Sequence, residues 1–328
     1  MNLYSFDNIS YVFTLVILAY NEENFIRDTV LKYVNIFEKI LIVDDFSKDH
    51  TLDICKKLTK EYKNIELIEN TKNLGAGYSF SLAIKKFLQS DTDYLIKIDG
   101  DDQFKYDDIT VLKNIAVNQN PDFIKCDRFW ENGIEGKIPL IRYFGNAFAS
   151  VLLKFSTGNW KINDPLNGLF LFSKKSLQNF KLPKLFNRYG YPFFISTYLS
   201  NISIERKLKI IQVKNTVFYK GEKSNLNALT MFFKLIYFTI SVFFNKIKTK
   251  LQYSTLQTSA LIDILAVISL IVSIFSLVRF FMIRYGSLIA SQANWFLVFV
   301  IFFFTFIYLI YQSQKIESEQ KLQYFQEL

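Results

Sequence analysis

Histidine, cysteine and proline are scarce in this chain of 328 residues, which contains one His, two Cys and five Pro. The one histidine, His50, lies in Ser-Lys-Asp-His-Thr at a predicted helix start, where a surface position is expected. The sequence therefore argues against acid/base chemistry based on imidazole. Cys55 and Cys126 are too few and too far apart for a disulfide framework or a zinc site, and we expect buried thiols.

The chain also lacks two charge patterns. No secretory signal peptide is evident, because the apolar run 11–19 has no basic segment before it and leads directly into Asn21-Glu22-Glu23. We interpret this run as the first strand. No basic stripe stands apart from the apolar C-terminal region, so the net charge of +9 at pH 7 favours attraction to anionic lipid and diphosphate over nucleic acid.

Charge is nearly absent from two stretches near the C-terminus. Residues 259–278 contain Asp263 as their only charge, and residues 293–311 contain none. Each stretch has about 20 residues, enough to cross a hydrocarbon core about 30 Å thick. We predict two transmembrane helices, with a hairpin buried in soluble protein as the alternative. Oligomers built through these hairpins are compatible with their small and aromatic residues.

The segment just before these stretches, residues 230–248, has an amphipathic pattern. Apolar residues fill one side of the predicted helix, and polar residues recur at steps of three or four. These polar residues are Lys234, Tyr237, Ser241, Asn245 and Lys248. The pattern predicts a helix in the headgroup plane of a membrane, although a core-facing helix would look similar. Lysines before the first stretch weakly favour a cytoplasmic N-terminal domain.

Strand-like and helical patterns alternate over the first 100 residues. Strands are predicted at 12–18, 40–43, 65–68 and 94–98, and helices at 22–37, 50–62 and 77–89. This order predicts an α/β domain with a mostly parallel, Rossmann-like sheet and helices on both faces. The predicted organisation is an α/β domain (1–228), an amphipathic juxtamembrane region (229–255), two transmembrane helices (256–312) and a polar tail (313–328).

Carboxylates follow three of these strands. Asp99-Gly100-Asp101-Asp102-Gln103 comes directly after the run 94–98. Oxygen ligands at Asp99 and Asp101, followed by the amide of Gln103, suit a hard divalent cation that keeps open positions for diphosphate oxygens. The spacing alone is weak evidence, because 91–93 repeats it before the strand, where a solvated turn explains it.

The other acidic loops are Asn21-Glu22-Glu23 and Asp44-Asp45. The carboxyl ends of parallel strands meet at one sheet edge, so these loops are expected to border a nucleotide-binding cleft. Asp44 and Asp45 could instead cap the following helix, although Ser47 or Asp49 suits that role better. Gly75-Ala76-Gly77 does not fit a dinucleotide-binding motif, and indicates a tight turn near the nucleotide or a helix start.

These segments together resemble a known family. The sequences VILAYNEE (16–23), IVDDFSKDHT (42–51), NLG (73–75) and IDGDDQ (98–103) resemble family 2 glycosyltransferases of the GT-A fold. The branch that contains dolichol-phosphate mannose synthase and the bacterial polyprenyl-phosphate glycosyltransferases is the most similar. The resemblance runs from about residue 11 to about residue 227 by motif, and the two C-terminal stretches match the bacterial members in layout.

The resemblance implies roles for particular residues. Donor-binding residues would be Tyr20, Asn21, Glu22, Asp44, Asp45, Gly75, Asp99, Lys220 and Ser224, and metal ligands Asp99, Asp101 and Gln103. Residues acting in the reaction would be Asp101, Asp164 in the motif 163–170, and Arg128 and Arg142, which would grip the lipid phosphate. The chain departs from the family at Ala19 (usually Pro), Phe46 (usually Gly) and Lys220 (usually Arg).

The activity that the resemblance implies is transfer of a sugar, with inversion, from a nucleotide-diphosphate sugar to a polyprenyl phosphate. Mg²⁺ or Mn²⁺ would be the cofactor, and the location would be the inner (plasma) membrane with the catalytic domain in the cytoplasm. The Gln-x-x-Arg-Trp signature of processive synthases is missing, which argues against polymerisation. Two alternatives stay open: a family 2 transferase with a soluble, envelope-glycan or protein acceptor, and a non-catalytic membrane scaffold. The base and the sugar of the donor are not specified.

Overall fold

The computed structural model describes residues 11–130, 134–135, 140–203, 206–218, 228–252, 257–284 and 292–326. The chain divides into two compact units, residues 1–236 and 237–328. The strands are β1 (Phe13–Ala19), β2 (Lys39–Asp44), β3 (Ile65–Glu69), β4 (Tyr94–Asp99), β5 (Phe123–Asp127), β6 (Ile134–Glu135), β7 (Phe170–Ser173), β8 (Ile210–Lys214) and β9 (Val217–Phe218). The α-helices are α1 (Ile26–Tyr33), α2 (Thr51–Glu61), α3 (Ala76–Leu88), α4 (Tyr106–Gln119), α5 (Leu140–Thr157), α6 (Lys174–Leu177), α7 (Tyr191–Ile202), α8 (Ala228–Gln252), α9 (Gln257–Arg284) and α10 (Gln292–Gln326).

The first unit is built on a seven-stranded sheet in the order β3-β2-β1-β4-β7-β5-β8. Strands β1 to β4 are mutually parallel, and β8 is parallel to β5. Strand β7 is antiparallel to both of its neighbours, β4 and β5. The predicted Rossmann-like, GT-A-like domain with a mostly parallel sheet is confirmed. The antiparallel β7 has no counterpart in the alternation of strands and helices read from the sequence.

Both faces of the sheet are covered, because successive side chains of a strand point to opposite faces. On one face, Leu15 and Ile17 of β1 belong to a core that includes Val30 of α1, Leu58 of α2 and Leu112 of α4. The alternate residues of these strands, which point to the opposite face, are also buried, and helix α3 packs against β1 and β2. Strands buried on both sides explain the near-continuous apolar runs in the sequence.

Helix α1 is shorter than the predicted range 22–37. The backbone N–H of Glu22 donates to Oγ1 of Thr51 at the start of α2 (2.7 Å), and that of Glu23 donates to Oδ2 of Asp49 in the loop after β2 (3.2 Å). Two side chains that follow β2 therefore satisfy donors that the sequence pattern assigned to the first turn of a helix. The same contact ties together the first two acidic loops.

The second unit contains the end of α8 together with α9 and α10, which pack along each other. Within the described parts of the chain, three helices are long and apolar enough to cross a membrane: α9, α10 and also α8, for which the sequence pattern predicts a position at the membrane interface. The buried residues of α9 include Ser269, Ser273 and Ser276, small side chains of the kind that allow close approach of membrane helices. Helix α10 continues to Gln326, so the predicted polar tail 313–328 is largely helical.

A buried ionic cluster lies in the second unit. Lys250 Nζ lies 2.6 Å from Asp263 Oδ2 and 2.8 Å from Ser259 Oγ of α9, and 3.1 Å from Ser313 Oγ of α10. Lys246 Nζ lies 2.7 Å from Glu317 Oε2. The single charge within the first apolar stretch, Asp263, is therefore paired, as is expected of a carboxylate in an apolar helix.

Candidate functional site

A cavity of about 580 Å³ opens at the carboxyl edge of the sheet in the first unit. Its lining residues are Leu18, Ala19, Tyr20, Glu22, Asp45, Asn73, Gly75, Ala76, Ser79, Asp99, Asp101, Arg188 and Tyr189. Six of the residues implied by the family resemblance are among them: Tyr20, Glu22, Asp45, Gly75, Asp99 and Asp101. The loops after β1, β2 and β4 therefore converge as the sequence analysis expects.

Strand register explains this convergence. Ala19 at the end of β1 is in register with Asp44 at the end of β2, and Leu18 is in register with Asp99 at the end of β4. The three strands thus end at nearly the same level, and the loops that follow them share one edge. Strand β1 lies between β2 and β4 and ends in Ala19, which lines the cavity.

Asp45 organises the wall of the cavity formed by residues 70–75. Its Oδ2 accepts a hydrogen bond from the Gly75 N–H at 2.7 Å, and its Oδ1 accepts from the Leu74 N–H (2.9 Å) and the Asn70 amide (2.8 Å). Only 4% of the Asp45 side chain is exposed. Both oxygens of this carboxylate are therefore engaged with the loop that precedes α3.

Gly75 is at the start of α3 and has a φ of 96°, which favours glycine. A Cβ at this position would lie 2.5 Å from Arg188 Cγ and 2.7 Å from the Arg188 Cα. The Tyr78 N–H donates to the Asn187 carbonyl at 2.8 Å, so chain segment 187–188 completes the first turn of α3. The glycine pair in 75–77 thus serves both a helix start and a close backbone approach.

Arg188 brings a positive charge to this acidic cavity. Its guanidinium donates to Asn73 Oδ1 (2.7 Å) and to the Asn73 carbonyl (3.1 Å). Among the described residues that line the cavity, it is the one with a cationic side chain. Arg188 and Tyr189 were not predicted as lining residues, because segment 187–189 lies far in sequence from the strand ends, whereas Asn73 belongs to the motif 73–75 without a predicted role.

The residues proposed as metal ligands differ in position. Asp99 and Asp101 both line the cavity, whereas Gln103 does not, and the Gln103 N–H donates to Asp101 Oδ1 at 3.3 Å. Across the described part of the chain, no three His, Cys, Asp or Glu side chains are grouped so as to hold a metal ion. The cavity is thus lined by two carboxylates at the carboxyl end of β4, Asp99 in the strand and Asp101 in the loop that follows.

Two other residues implied to bind the donor lie outside the lining of the cavity. Asp44 is 1% exposed, and its Oδ2 accepts from the Ser47 N–H at 3.1 Å, closing a turn. Phe46 in this turn has a φ of 64°, which is why glycine is usual there. The Asn21 side chain accepts from the Lys48 N–H at 2.8 Å, so it also connects loops.

A second polar cluster surrounds the motif 163–170. Asp164, 1% exposed and with a φ of 46°, accepts from the Arg128 N–H at 3.1 Å and lies 3.1 Å from Arg128 Nε. The Asn167 amide donates to Asn215 Oδ1 at 2.8 Å. The sequence predicts separate roles for Asp164 and Arg128, and the structure joins them as one ion pair.

Lys125 of β5 is wholly buried beside this cluster. Its Nζ donates to the Asn167 carbonyl at 2.7 Å and lies 4.4 Å from the centroid of the Phe170 ring. Burial, only partly offset by the charge of Asp164, lowers the pKa of Lys125 to about 7. Burial likewise raises the pKa of the carboxyl of Asp127, two residues further along β5.

The remaining predicted residues are placed as follows. Arg142 lies in the first turn of α5 and is partly exposed. Lys220 and Ser224 fall in residues 219–227, outside the described residues. His50 is on the surface, with 82% of its side chain exposed, and Cys55 and Cys126 are buried free thiols, as expected.

Comparison with known proteins identifies the family. The family description "Glycosyl transferase family 2" matches residues 14–180, which include all but the first residue of β1, strands β2 to β7, and every lining residue of the cavity except Arg188 and Tyr189. The chain belongs to glycosyl transferase family 2. The protein is therefore a glycosyltransferase, and the family resemblance read from the four motifs is confirmed.

Relatives of this family 2 glycosyltransferase include enzymes named for dolichyl phosphate. The UDP-N-acetylglucosamine–dolichyl-phosphate N-acetylglucosaminyltransferase of Methanococcus voltae is 32% identical over 178 residues, which is 50% of this chain and 70% of that protein. A dolichyl-phosphate beta-glucosyltransferase of Trichomonas vaginalis is 28% identical over 52% of this chain and 56% of its own. Both place the glycosyltransferase near the polyprenyl-phosphate branch.

Solved structures give a weaker likeness. TarS of S. aureus (residues 1–349) in complex with UDP-GlcNAc is 15% identical and has a TM-score of 0.49, with 96% of this chain and 92% of that chain covered. The mannosyltransferase PcManGT of Pyrobaculum calidifontis, in complex with GDP-Man and Mn²⁺, is 14% identical with a TM-score of 0.43 over 66% and 59% of the two chains.

Proposed function

We propose that this glycosyltransferase moves a sugar from a nucleotide-diphosphate sugar to a polyprenyl phosphate at the surface of a membrane. The observation that carries the proposal is the cavity that combines Glu22, Asp45, Asp99 and Asp101 with the guanidinium of Arg188. The names of the relatives support a polyprenyl-phosphate acceptor, and the three long apolar helices support a membrane location. The N-terminal domain would then face the cytoplasm, at the inner membrane of a bacterium or its equivalent.

The donor would lie across the carboxyl edge of the sheet. A volume of about 580 Å³ is within the range of ligand pockets. Glu22 and Asp45 would face the nucleoside, whose base and ribose hydroxyls donate hydrogen bonds, and Tyr20, half exposed, offers a ring against the base. Arg188, with its planar fork of donors, suits the diphosphate. A role in donor binding stays a prediction for Asp44, Asn21, Lys220 and Ser224. Asp44 and Asn21 would act indirectly, through the loops that their hydrogen bonds hold in place.

A divalent cation fits the carboxylates at the end of β4. Asp99 and Asp101 offer oxygen ligands from one loop, and the open space before them leaves positions for water and for diphosphate oxygens, a set that Mg²⁺ and Mn²⁺ accept. Gln103 would act through the hydrogen bond of its N–H to Asp101 rather than as a ligand in this geometry. When bound, such a cation would stabilise the negative charge that develops on the leaving nucleoside diphosphate.

The described residues can perform the remaining tasks without a strong base. A phosphomonoester has a second pKa of about 6, so the acceptor phosphate is already largely dianionic at neutral pH. The protein's tasks are to hold the acceptor oxygen in line with the anomeric carbon and to exclude water. A single displacement of this kind inverts the configuration at the sugar carbon.

The acceptor side is assigned to the cluster around Asp164. Arg128 and Arg142 would hold the acceptor phosphate, because guanidinium groups bind phosphate through two parallel hydrogen bonds. The Asp164 carboxylate contacts both the backbone N–H and the guanidinium of Arg128. Asp164 would therefore orient the arginine rather than accept a proton. The motif that contains Asp164 continues to Gly168, directly beside Asp99.

The experiment that tests this proposal uses the full chain in detergent micelles. Radiolabelled UDP-GlcNAc, UDP-glucose and GDP-mannose are each incubated with undecaprenyl phosphate or dolichyl phosphate, with Mn²⁺ or with EDTA, and the organic-phase product is counted. We expect label in the organic phase with at least one donor, with Mn²⁺ and with lipid phosphate present. Label in the organic phase that does not depend on added lipid phosphate would contradict the proposed acceptor, and no label with any of the three donors would contradict the proposed reaction.

A further inference from the structure

Strand β4 carries a charged side chain in the interior of the sheet. Lys97 lies two residues before Asp99, in a strand that pairs with β1 on one side and β7 on the other, and its side chain is 0% exposed. A buried ammonium group is strongly disfavoured unless a partner compensates its charge. Its partner is Asp99, whose Oδ1 lies 2.6 Å from Lys97 Nζ.

The surroundings hold this pair in one arrangement. Lys97 Nζ lies 5.5 Å from the centroid of the buried Tyr191 ring. A Cβ built on Gly168 would lie 3.1 Å from Lys97 Nζ and 3.1 Å from Asp99 Oδ2, so the backbone of the acceptor motif closes the pair from one side. The ammonium group therefore has little room for another rotamer.

The pair extends from the interior into the cavity. The Asp99 side chain is 38% exposed, in contrast to that of Lys97, and Asp99 lines the cavity. Because Oδ1 is taken by the ammonium group, Oδ2 is the oxygen of Asp99 that remains for a ligand in the cavity. The positive charge of Lys97 lies directly behind this carboxylate.

We propose that Lys97 is a positioning residue that fixes Asp99 as a one-oxygen ligand and offsets one negative charge of the donor site. This inference rests on the proposed function, because it assigns Lys97 a role toward the donor diphosphate and its cation. The built-in charge lets the acidic cavity accept a diphosphate before a cation arrives. A chain without it would depend more strongly on the metal for nucleotide binding.

The electrostatic reasoning gives a signature that a purely structural role would lack. Without Lys97, Asp99 is an uncompensated anion that repels a diphosphate but attracts a divalent cation. Loss of the lysine should therefore weaken nucleotide binding in EDTA and affect it much less with saturating Mn²⁺. Loss of structure would weaken nucleotide binding by the same factor under both conditions.

The test measures binding of UDP and of GDP, titrated in parallel, to the full chain in detergent by isothermal titration calorimetry. Each titration is run in EDTA and in saturating Mn²⁺. The readout is the dissociation constant in EDTA divided by the dissociation constant in Mn²⁺. The variants are Lys97→Met, which removes charge and hydrogen bond, and Lys97→Gln, which removes the charge but keeps a donor. Lys125→Met is the matched control. Lys125 is also wholly buried, and Lys97 and Lys125 lie on the two sides of β7, each paired in register with Phe170.

We expect the ratio to rise on the order of tenfold in both Lys97 variants, as one unit charge near a phosphate would cause at an effective dielectric constant of about 20. Lys125→Met should leave the ratio unchanged. An unchanged ratio in a folded Lys97→Gln protein, judged by its melting temperature, would overturn the inference while the proposed function stands. Failure of the unmodified chain to bind either nucleotide under both conditions would instead overturn the proposed function.

Discussion

Arg128 and Asp164 form an ion pair in which the carboxylate is almost fully buried: Arg128 Nε lies 3.1 Å from Asp164 Oδ2, and the Arg128 N–H also donates to Oδ2 at 3.1 Å. The two residues are 36 positions apart in the chain and lie in the loop after β5 and the loop before β7. The pair therefore links two loops at the carboxyl edge of β5. Because Asp164 contacts both the backbone N–H and the guanidinium of Arg128, the side chain of this arginine is held in one orientation.

The first prediction concerns this pair. Arg128→Met should lower the free energy of unfolding by about 3 kcal/mol, because it leaves a buried carboxylate without its cation. The double variant Arg128→Met/Asp164→Leu should recover part of that loss, since no buried charge remains unpaired. Urea unfolding of the full chain in detergent measures both. Equal destabilisation by the single and double variants would show that the unpaired Asp164 carboxylate carries no penalty in the folded chain, which would contradict this prediction.

The second prediction concerns the carboxylates at the end of β4. Asp101→Asn should lower turnover on the order of 100-fold, as does the removal of one electrostatic stabiliser of a transition state elsewhere. Asp91→Asn is the matched control, because Asp91 begins a second Asp-x-Asp sequence, is exposed and lies before the strand. Initial rates of sugar transfer check both variants. Similar rates for the two variants would argue against a role of Asp101 in the reaction.

The third prediction follows from Gly75. Gly75→Ala should raise the donor KM and lower stability, because a Cβ would meet the Arg188 backbone at 2.7 Å and the residue has a φ of 96°. Gly145→Ala in α5 is the control, since its Cβ would meet nothing within 4 Å. This control should gain up to about 1 kcal/mol from the helix propensity of alanine. An unchanged donor KM in Gly75→Ala would argue that Arg188 takes no part in donor binding.

The fourth prediction concerns Lys125. Its pKa in the folded chain is about 7, below the value of about 10.4 expected in the unfolded chain. Between these two values the unfolded state binds more protons, so stability should rise with pH, by at most about 1.4 kcal/mol per pH unit. Lys125→Met should remove this rise. Urea midpoints at pH 7.5 and pH 9.0 measure it, and a slope that is equal in both proteins would contradict the assignment.

Several features of this protein were predictable from local patterns. Strands β1 to β4 and helices α2 and α3 match the predicted ranges within two residues at each end, because β-branched apolar runs and amphipathic periods are properties of neighbouring residues. The acidic loops converge because parallel strands place their carboxyl ends together. The apolar character of α9 and α10 is likewise a matter of composition.

Other features depend on residues that are distant in sequence. Asp45 lines the cavity and Asp44 does not, because Asp44 accepts a hydrogen bond from the Ser47 N–H within its own turn, whereas Asp45 accepts hydrogen bonds from the loop 70–75. Arg188 reaches the cavity because Gly75 and Gly77 allow its backbone to approach α3.

Local sequence patterns alone account for strands β1 to β4, the acidic loops that follow three of them and the apolar helices, since hydrophobic period and hydropathy act over a few residues. The insertion of antiparallel β7 beside β4, the burial of Lys97 against Asp99 and the pairing of Arg128 with Asp164 required the folded chain. The sequence around a lysine in a strand is the same whether its side chain faces solvent or a buried carboxylate. Its environment is set by long-range packing, because only the folded chain brings a compensating charge within hydrogen-bond distance.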